Sequence, residues 1–251
     1  MYTPMGFFAP QGGGYVTDNL LWYVDANEVA SYPGSGATLF DLVGSNDATI
    51  SGATFTTSAG LSYFNFTNTN DYISSSITDI YSSDFTIQGW VYNSATTTTN
   101  WNGAWFGQRN NSNGLELVVA NEVGGARSPS SALWIGAAAF GGGTNTEKYS
   151  VGTYSRQQWV FLTYRYQTGA TNGSINFSFN TTIDVSYQTG GTKWQTLVAP
   201  ARQYLGWWSL NNSENLGFLD GRIGNCLIYN RLLTDQEILD NYDVQKALYG
   251  Y

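Results

Sequence analysis

Residues 84–92 read DFTIQGWVY, and this stretch decides the fold class. Taken alternately, its residues form two sets: one face holds Phe85, Ile87, Gly89 and Val91, and the other holds Thr86, Gln88, Trp90 and Tyr92. A repeat of two residues is typical of a β-strand that packs one face on a core. The pattern therefore predicts a half-buried strand.

Similar runs recur on both sides of this stretch, with turn residues between them. They occupy residues 20–24, 62–66, 71–74, 115–120, 132–137, 158–166, 174–179, 204–208 and 221–229. The hairpin-favouring dipeptide Asn172-Gly173 separates two of these runs, 158–166 and 174–179. About a dozen strands at this spacing predict an all-β fold, a two-sheet antiparallel β-sandwich of the jelly-roll type.

A single helix is predicted near the C-terminal end. Thr234 and Glu237 have the spacing of a capping box, in which each residue bonds the backbone of the other. An apolar stripe at helical spacing follows and reaches Tyr242. We expect this short helix to pack on the edge of the sandwich.

The N-terminal 18 residues are predicted to be an arm, and residues 19–251 to be one domain. Prolines and a run of three glycines interrupt regular structure in the arm. Phe7 and Phe8 make it adhesive. The arm either folds over its own sandwich or docks on a neighbouring subunit. The start of the chain has no signal-peptide pattern, so we expect assembly in the cytoplasm of the cell that makes the chain.

The amino-acid composition argues against several classes of function. The formal net charge is −8, so the chain lacks the basic footprint of a nucleic-acid binder. The sequence has no histidine, which excludes Ser-His-Asp and Cys-His catalysis. The single cysteine, Cys226, forms no internal disulfide and is expected in the core. No apolar run is long enough for a membrane helix, and the 16% aromatic content with 11% charged residues fits a strand-rich chain.

Several stretches together resemble laminin-G-like, concanavalin A-like jelly-roll domains. In chain order they are 21–26 (LWYVDA), 68–73 (NTNDYI), 85–91 (FTIQGWV), 158–164 (QWVFLTY), 218–224 (FLDGRIG) and 227–234 (LIYNRLLT). The chain is most similar to the versions found in virion proteins of tailed bacteriophages, especially marine and cyanobacterial ones. The resemblance implies a jelly roll, but relatives range from lectins and hydrolases to structural domains, so the residues must decide the function.

Hydrolysis is not predicted. Laminarinase-type relatives carry the string Glu-x-Asp-x-x-Glu on one strand, which supplies the paired carboxylates that glycoside hydrolysis needs. This chain has six glutamates and no such string. We therefore predict no catalytic residues.

Calcium is a possible cofactor that the resemblance suggests, and no other cofactor is expected. Oxygen ligands suit this ion, and Asp25, Asp71 and Asp220 are candidates. Where many relatives read Ile-Asp-Glu-Val, residues 223–226 read IGNC, so the acidic pair is missing. The alternative is that Asp71 and Asp220 are turn residues that bond their own backbone.

Sugar binding is a second possibility, since exposed rings stack on sugars and amides bind hydroxyls. The candidate glycan contacts are Trp101, Trp105, Asn110, Trp208 and Asn211. The alternative is that these rings belong to the core. Trp207 and Trp208 are adjacent and point to opposite faces of a strand, so one of them is expected in the core.

Assembly is the third possibility. The segments 93–108 and 124–148 are nearly uncharged and rich in small residues, and Phe140 lies in the second. Low charge with many aromatic residues is typical of an interface. The alternative is a poorly ordered loop. Phe7, Phe8 and Phe140 are the candidate assembly contacts.

The sequence thus predicts a non-enzymatic virion structural protein, either a capsid decoration protein or a fibre or knob subunit. Its expected partners are other virion proteins and further copies of itself, with no nucleic acid and no membrane. The alternative is a glycan- or receptor-binding adhesin on the virion surface. A polysaccharide hydrolase is a third, weaker hypothesis.

Overall fold

A computed structural model describes residues 14–67, 70–77, 84–94, 104–109, 116–120, 132–133, 136–140, 146–150, 154–167, 174–184, 187–190, 202–210 and 214–251. In chain order the strands are β1 (Leu20–Asp25), β2 (Thr38–Leu39), β3 (Ala48–Ser51), β4 (Thr54–Ser58), β5 (Leu61–Phe66), β6 (Tyr72–Ser75), β7 (Phe85–Asn93), β8 (Ala104–Arg109), β9 (Glu116–Ala120), β10 (Ala132–Leu133), β11 (Gly136–Phe140), β12 (Thr146–Ser150), β13 (Tyr154–Ser155), β14 (Trp159–Gln167), β15 (Ser174–Phe179), β16 (Thr182–Asp184), β17 (Tyr187–Gly190), β18 (Arg202–Leu205), β19 (Trp207–Leu210), β20 (Glu214–Phe218), β21 (Gly221–Ile223) and β22 (Asn225–Tyr229). The helix of the described chain is α1 (Asp235–Gln245).

Two large antiparallel sheets face each other. Sheet I runs β16-β15-β14-β7-β21-β5-β4, with β22 pairing both β7 and β1. Sheet II runs β17-β12-β11-β9-β8-β18-β6-β3-β2. Two short pairs, β10-β13 and β19-β20, stand beside them. This arrangement confirms the predicted jelly-roll β-sandwich.

The strand that decided the fold class, β7, is central in sheet I. It pairs with β14 on one side and with β21 and β22 in succession on the other. Gly224 separates β21 from β22, so the predicted strand 221–229 is two strands. In the same way Gly206, with φ of 79°, separates β18 from β19. The strands that lie outside the predicted runs are β2, β3, β4, β8, β12, β13, β16, β17 and β20.

The main core lies between the two sheets. From β7 it includes Phe85, Ile87 and Val91, which form the predicted inner face. From sheet II it includes Phe106 and Leu205. Burial of such large side chains is the dominant favourable contribution to folding.

The other face of β7 is also buried, which corrects the prediction of a half-buried strand. Thr86, Gln88 and Trp90 are all fully buried. The C-terminal segment, residues 230–251, covers them. Period-2 alternation identifies which residues share a face, but it does not show that a distant segment covers that face.

The helix begins with the predicted capping box. The Thr234 hydroxyl accepts a hydrogen bond from the Glu237 backbone N–H, and the Glu237 carboxylate accepts one from the Thr234 backbone N–H. Arg231 adds a bidentate contact to the same carboxylate, at 2.7 and 2.9 Å. The helix start is therefore held by its own sequence and by a neighbouring cation.

The helix packs on the outer face of sheet I and not on the edge of the sandwich. Its buried Asn241 donates hydrogen bonds to Gln88 Oε1 at 2.6 Å and to the Tyr229 hydroxyl at 2.9 Å. Asn241 Oδ1 also accepts the Val16 backbone N–H at 2.8 Å. On this face the buried Gln88 and Tyr229 thus find partners in the helix and in the described end of the N-terminal arm. The buried Trp90 indole N–H has no hydrogen-bond partner among the described residues. No helix among the described residues has the length and apolar character needed to cross a membrane.

Candidate functional site

The structure corrects one predicted sugar contact, because it places Trp105 in the core. The ring is fully buried and lies in the cluster between the sheets. A register shift between Ala104 and Phe106, where β8 pairs β9, accompanies this position. Such an irregularity lets two consecutive side chains, Trp105 and Phe106, both reach the core. A buried ring cannot stack on a sugar.

Most other predicted contacts lie outside the described residues. Trp101, Asn110, Asn211, Phe7 and Phe8 belong to this group. Trp208 lies in β19 and Phe140 at the end of β11, but only their backbones are described. The neighbouring Trp207 is buried.

Asp25 is a buried structural carboxylate. It accepts four hydrogen bonds: from the Tyr23 hydroxyl at 2.9 Å, from Asn27 N at 2.8 Å, from Asn27 Nδ2 at 3.1 Å and from Gln245 Nε2 at 2.6 Å. Burial raises the pKa of Asp25, and these hydrogen bonds oppose the shift. Both carboxylate oxygens already have donors, so the geometry does not suit a calcium ligand.

Asp71 and Asp220 do not join Asp25 in a metal site. Asp71 accepts the Thr67 backbone N–H at 2.8 Å, as a turn residue does. Asp220 precedes β21, and its backbone carbonyl accepts the Ser94 N–H. Within the described ranges, no group of three or more acidic, cysteine or histidine side chains is placed to hold a metal ion.

A different cluster of side chains has the aromatic and polar groups of a binding surface. We define the aromatic platform as Tyr63, Tyr92, Trp159, Arg222 and Asn65, on the outer face of sheet I. Four of the five form one row across the strands, because Trp159 pairs with Tyr92, Tyr92 with Arg222, and Arg222 with Asn65.

The row continues onto the edge strand, where Thr54 pairs with Asn65. Five strands at the usual spacing make it roughly 19 Å long. Thr54 is exposed, whereas Tyr92, Arg222 and Asn65 are half-buried. The surface is therefore apolar at the Trp159 end and polar at the edge of the sheet.

The rings of the platform support one another. Trp159 meets Tyr63 at 5.7 Å and Tyr92 at 5.6 Å between ring centroids, both edge to face. The Arg222 guanidinium carbon lies 4.9 Å from the Tyr63 centroid and 4.5 Å from the Tyr92 centroid. These distances suit cation–π contacts. Tyr63 and Trp159 are buried and hold Tyr92 and Arg222 in place.

The C-terminal segment borders the platform on one side. Tyr249 packs on Trp159 with a centroid distance of 4.9 Å. The Tyr251 hydroxyl donates a hydrogen bond to the Trp159 carbonyl. Tyr251 itself is 45% exposed. The last residues of the chain thus fix the position of the Trp159 end.

A second aromatic group lies on sheet II and the adjoining strand β19. Tyr72, Tyr204 and Trp207 approach one another with centroid distances of 4.9 to 5.7 Å. Tyr72 is half-buried, but Tyr204 and Trp207 are almost fully buried. These three residues therefore present fewer accessible polar groups to a ligand than the platform does.

Sequence analysis did not find the platform. Its residues come from four strands between positions 63 and 222, and no spacing in the chain brings them together. A partial signal was available, because all five residues lie on predicted strands: 62–66, 84–92, 158–166 and 221–229. The position of Arg222 depends on the pairing of β21 with both β5 and β7.

Several solved structures share the fold. Domain 4 of AbnA, a GH43 extracellular arabinanase from Geobacillus stearothermophilus, was solved in complex with arabinotriose. It has a TM-score of 0.61 at 16% identity, over 89% of this chain and 98% of that domain. Trypanosoma rangeli sialidase, in complex with sialic acid, has a TM-score of 0.61 at 12% identity.

Botulinum neurotoxin type C, which depends on interaction with two ganglioside molecules to enter cells, has a TM-score of 0.59 at 10% identity. The match covers 51% of the neurotoxin chain, and the sialidase match covers 35% of the sialidase chain. At these identities the similarity shows the fold alone. No protein-family model matches the chain, and no curated protein does. The chain therefore has the β-sandwich jelly-roll fold of these domains.

Proposed function

We propose that this chain is a non-catalytic carbohydrate-binding domain that holds its ligand against the aromatic platform. The observation that carries the proposal is the cross-strand row of Tyr92, Arg222 and Asn65, which is half-buried and bordered at one end by Trp159. Ligand sites combine an apolar surface with a few placed polar groups, and this row has both. In the virion setting that the sequence resemblance implies, the domain is an adhesin for host glycans.

The fold neighbours support this proposal. The arabinanase domain and the sialidase were solved with sugars, and the neurotoxin depends on gangliosides. The platform itself contains no carboxylate, whereas glycoside hydrolysis uses a pair of them. Binding without catalysis is therefore the function that we infer.

The test is a glycan array followed by calorimetric titration of the best ligand. We expect Tyr92→Ala to weaken binding at least about tenfold, because truncating an aromatic residue in the middle of a site removes much of the binding energy. The matched control is Tyr72→Ala, which removes a half-buried tyrosine from sheet II. Its affinity should stay within about twofold of the wild type.

Two results would contradict the proposal. Unchanged binding in Tyr92→Ala, with loss in Tyr72→Ala, would move the site to sheet II. No binding to any glycan would reject carbohydrate recognition altogether. Unfolding temperatures of both variants separate loss of the site from loss of the fold.

The structural role in a virion remains a prediction from the sequence. Phe7 and Phe8 lie outside the described residues, and Phe140 is described only in its backbone. The described end of the arm folds over its own domain, since Val16 bonds Asn241 and Tyr229. Incorporation of the chain into particles, with and without residues 1–18, tests the assembly role independently of sugar binding.

A further inference from the structure

Arg222 differs in its surroundings from three other described cations, Arg165, Arg231 and Lys246. Arg165, Arg231 and Lys246 each form an ion pair with a carboxylate at 3.1 Å or less. Arg222 contacts two tyrosine rings, and no described carboxylate lies within ion-pair distance of it. In a chain with a net charge of −8, a half-buried arginine without a carboxylate is unexpected.

The two rings hold the guanidinium in a defined position. Arginine stacks on aromatic faces through its planar group, and its N–H donors then point outward in that plane. The fork of donors matches a carboxylate with two parallel hydrogen bonds. Tyr63 and Tyr92 thus pre-orient Arg222 for a planar anion, which reduces the ordering cost on binding.

The neighbouring residue extends the polar surface. Asn65 lies directly opposite Arg222 in the sheet. Its Nδ2 donates to the Thr56 hydroxyl at 2.7 Å, which fixes the amide. Within the described part of the chain Asn65 Oδ1 has no hydrogen-bond partner, so it is available to accept from a ligand hydroxyl.

We propose that the aromatic platform recognises a carboxylate-bearing sugar, with the carboxylate on Arg222 and a hydroxyl on Asn65. This inference rests on the proposed function and specifies its ligand class. The net charge of −8 repels a dense polyanion at long range. Short oligosaccharides with separated carboxylates are therefore the ligands that fit.

The experiment compares ligands that differ only in the carboxylate. Trigalacturonate is titrated beside its methyl ester, and 3′-sialyllactose beside the methyl ester of its sialic acid. We expect at least one acidic ligand to bind about tenfold more tightly than its neutral counterpart, as a charge-assisted bidentate contact requires. Arg222→Gln should remove that preference. Arg222→Lys should keep only part of it, because an ammonium lacks the planar fork.

The control variant is Lys246→Gln. It changes the net charge by the same amount as Arg222→Gln, but at the residue directly after the helix, whose side chain is 42% exposed. An equal loss of acidic-sugar binding in both variants would show general electrostatics and overturn the inference.

The other outcomes separate the inference from the function on which it rests. If neutral sugars bind as well as acidic ones and Tyr92→Ala weakens both, the acid specificity is wrong and the carbohydrate-binding function stands. Acidic binding that Arg222→Gln leaves unchanged also overturns the inference. If neither the four sugars nor a glycan array shows binding to the wild type, both proposals fail.

Discussion

Tyr249 lies flat against Trp90, with ring centroids 4.2 Å apart and the ring planes inclined by 11°. The contact joins the last turn of the chain to the central strand of sheet I. The Tyr249 hydroxyl also accepts a hydrogen bond from Asn27 Nδ2 at 3.2 Å. Through these contacts the C-terminal end of the chain covers the outer face of sheet I.

We expect Tyr249→Ala to lower the free energy of unfolding by about 3 kcal/mol, as removal of a buried aromatic ring does. The side chain is only 6% exposed and also supports Trp159. Urea denaturation measures the change. Leu248→Ala is the control, because Leu248 is 40% exposed and should cost less than about 1 kcal/mol. Similar losses of stability at both positions would contradict the role of Tyr249 in covering the outer face of sheet I.

Gly224 leaves the space that the Tyr249 phenol fills. A methyl group added to Gly224 would overlap the Tyr249 ring, and its three nearest atoms all belong to Tyr249. Gly224→Ala should therefore cost about 1–3 kcal/mol of stability. In a Tyr249→Ala background the cost should fall by at least about 1 kcal/mol, because the overlap is gone. Equal costs in both backgrounds, measured by denaturation, would refute the contact.

The contacts of Glu237 at the start of the helix should stop contributing to the free energy of unfolding in acid. Hydrogen bonds from Arg231, and then from Thr234, lower the pKa of Glu237 from 4.5 to about 2, against the effect of burial. A lowered pKa stabilises the fold above pH 4.5, and the contribution disappears as the pH falls toward 2. Glu237→Gln should cost roughly 1 kcal/mol at pH 7 and little near pH 2. Thermal unfolding across this range tests it, with Asp240→Asn as an exposed control.

The contribution of Asp25 to stability should change with pH in the opposite direction to that of Glu237. Burial raises its pKa above 3.8, so the unfolded chain releases this proton before the folded chain does. The free energy of unfolding therefore falls as the pH rises from 3.8 through the raised pKa. Asp25→Asn should lack this slope, although its amide disturbs the hydrogen bonds at every pH. Carbon-13 NMR of the Asp25 carboxyl gives the pKa directly, and a value at or below 3.8 would refute the prediction.

The sequence predicted the fold class from local patterns, and the structure confirms it. Alternation in residues 84–92 and the Asn172-Gly173 hairpin signal both correspond to paired strands, β7 and β14–β15. The capping box at Thr234 was predicted residue by residue, because its partners are three positions apart. Contacts over so short a separation are visible in a sequence.

The candidate site shows where such prediction ends. Trp105 was expected at a sugar and is in the core, since a local irregularity in β8 accompanies its turn toward the other sheet. Arg222 was part of a resemblance motif without any assigned role. Its neighbours Tyr63 and Tyr92 are 159 and 130 positions away in the chain, and only the strand order makes them adjacent.

By itself, the sequence determined which residues alternate, where the helix starts and that the chain folds as a β-sandwich. Those properties depend on spacings of two to four residues, which backbone geometry imposes locally. The tertiary structure alone decided which faces are covered. The outer face of β7 is buried where α1 and Tyr249 lie on it, and half-buried at Tyr92, beyond their reach. Whether an aromatic side chain is buried depends on which sequence-distant segments pack against it. This is why the tertiary structure, and not the sequence, distinguishes the core aromatic residues from those of the platform.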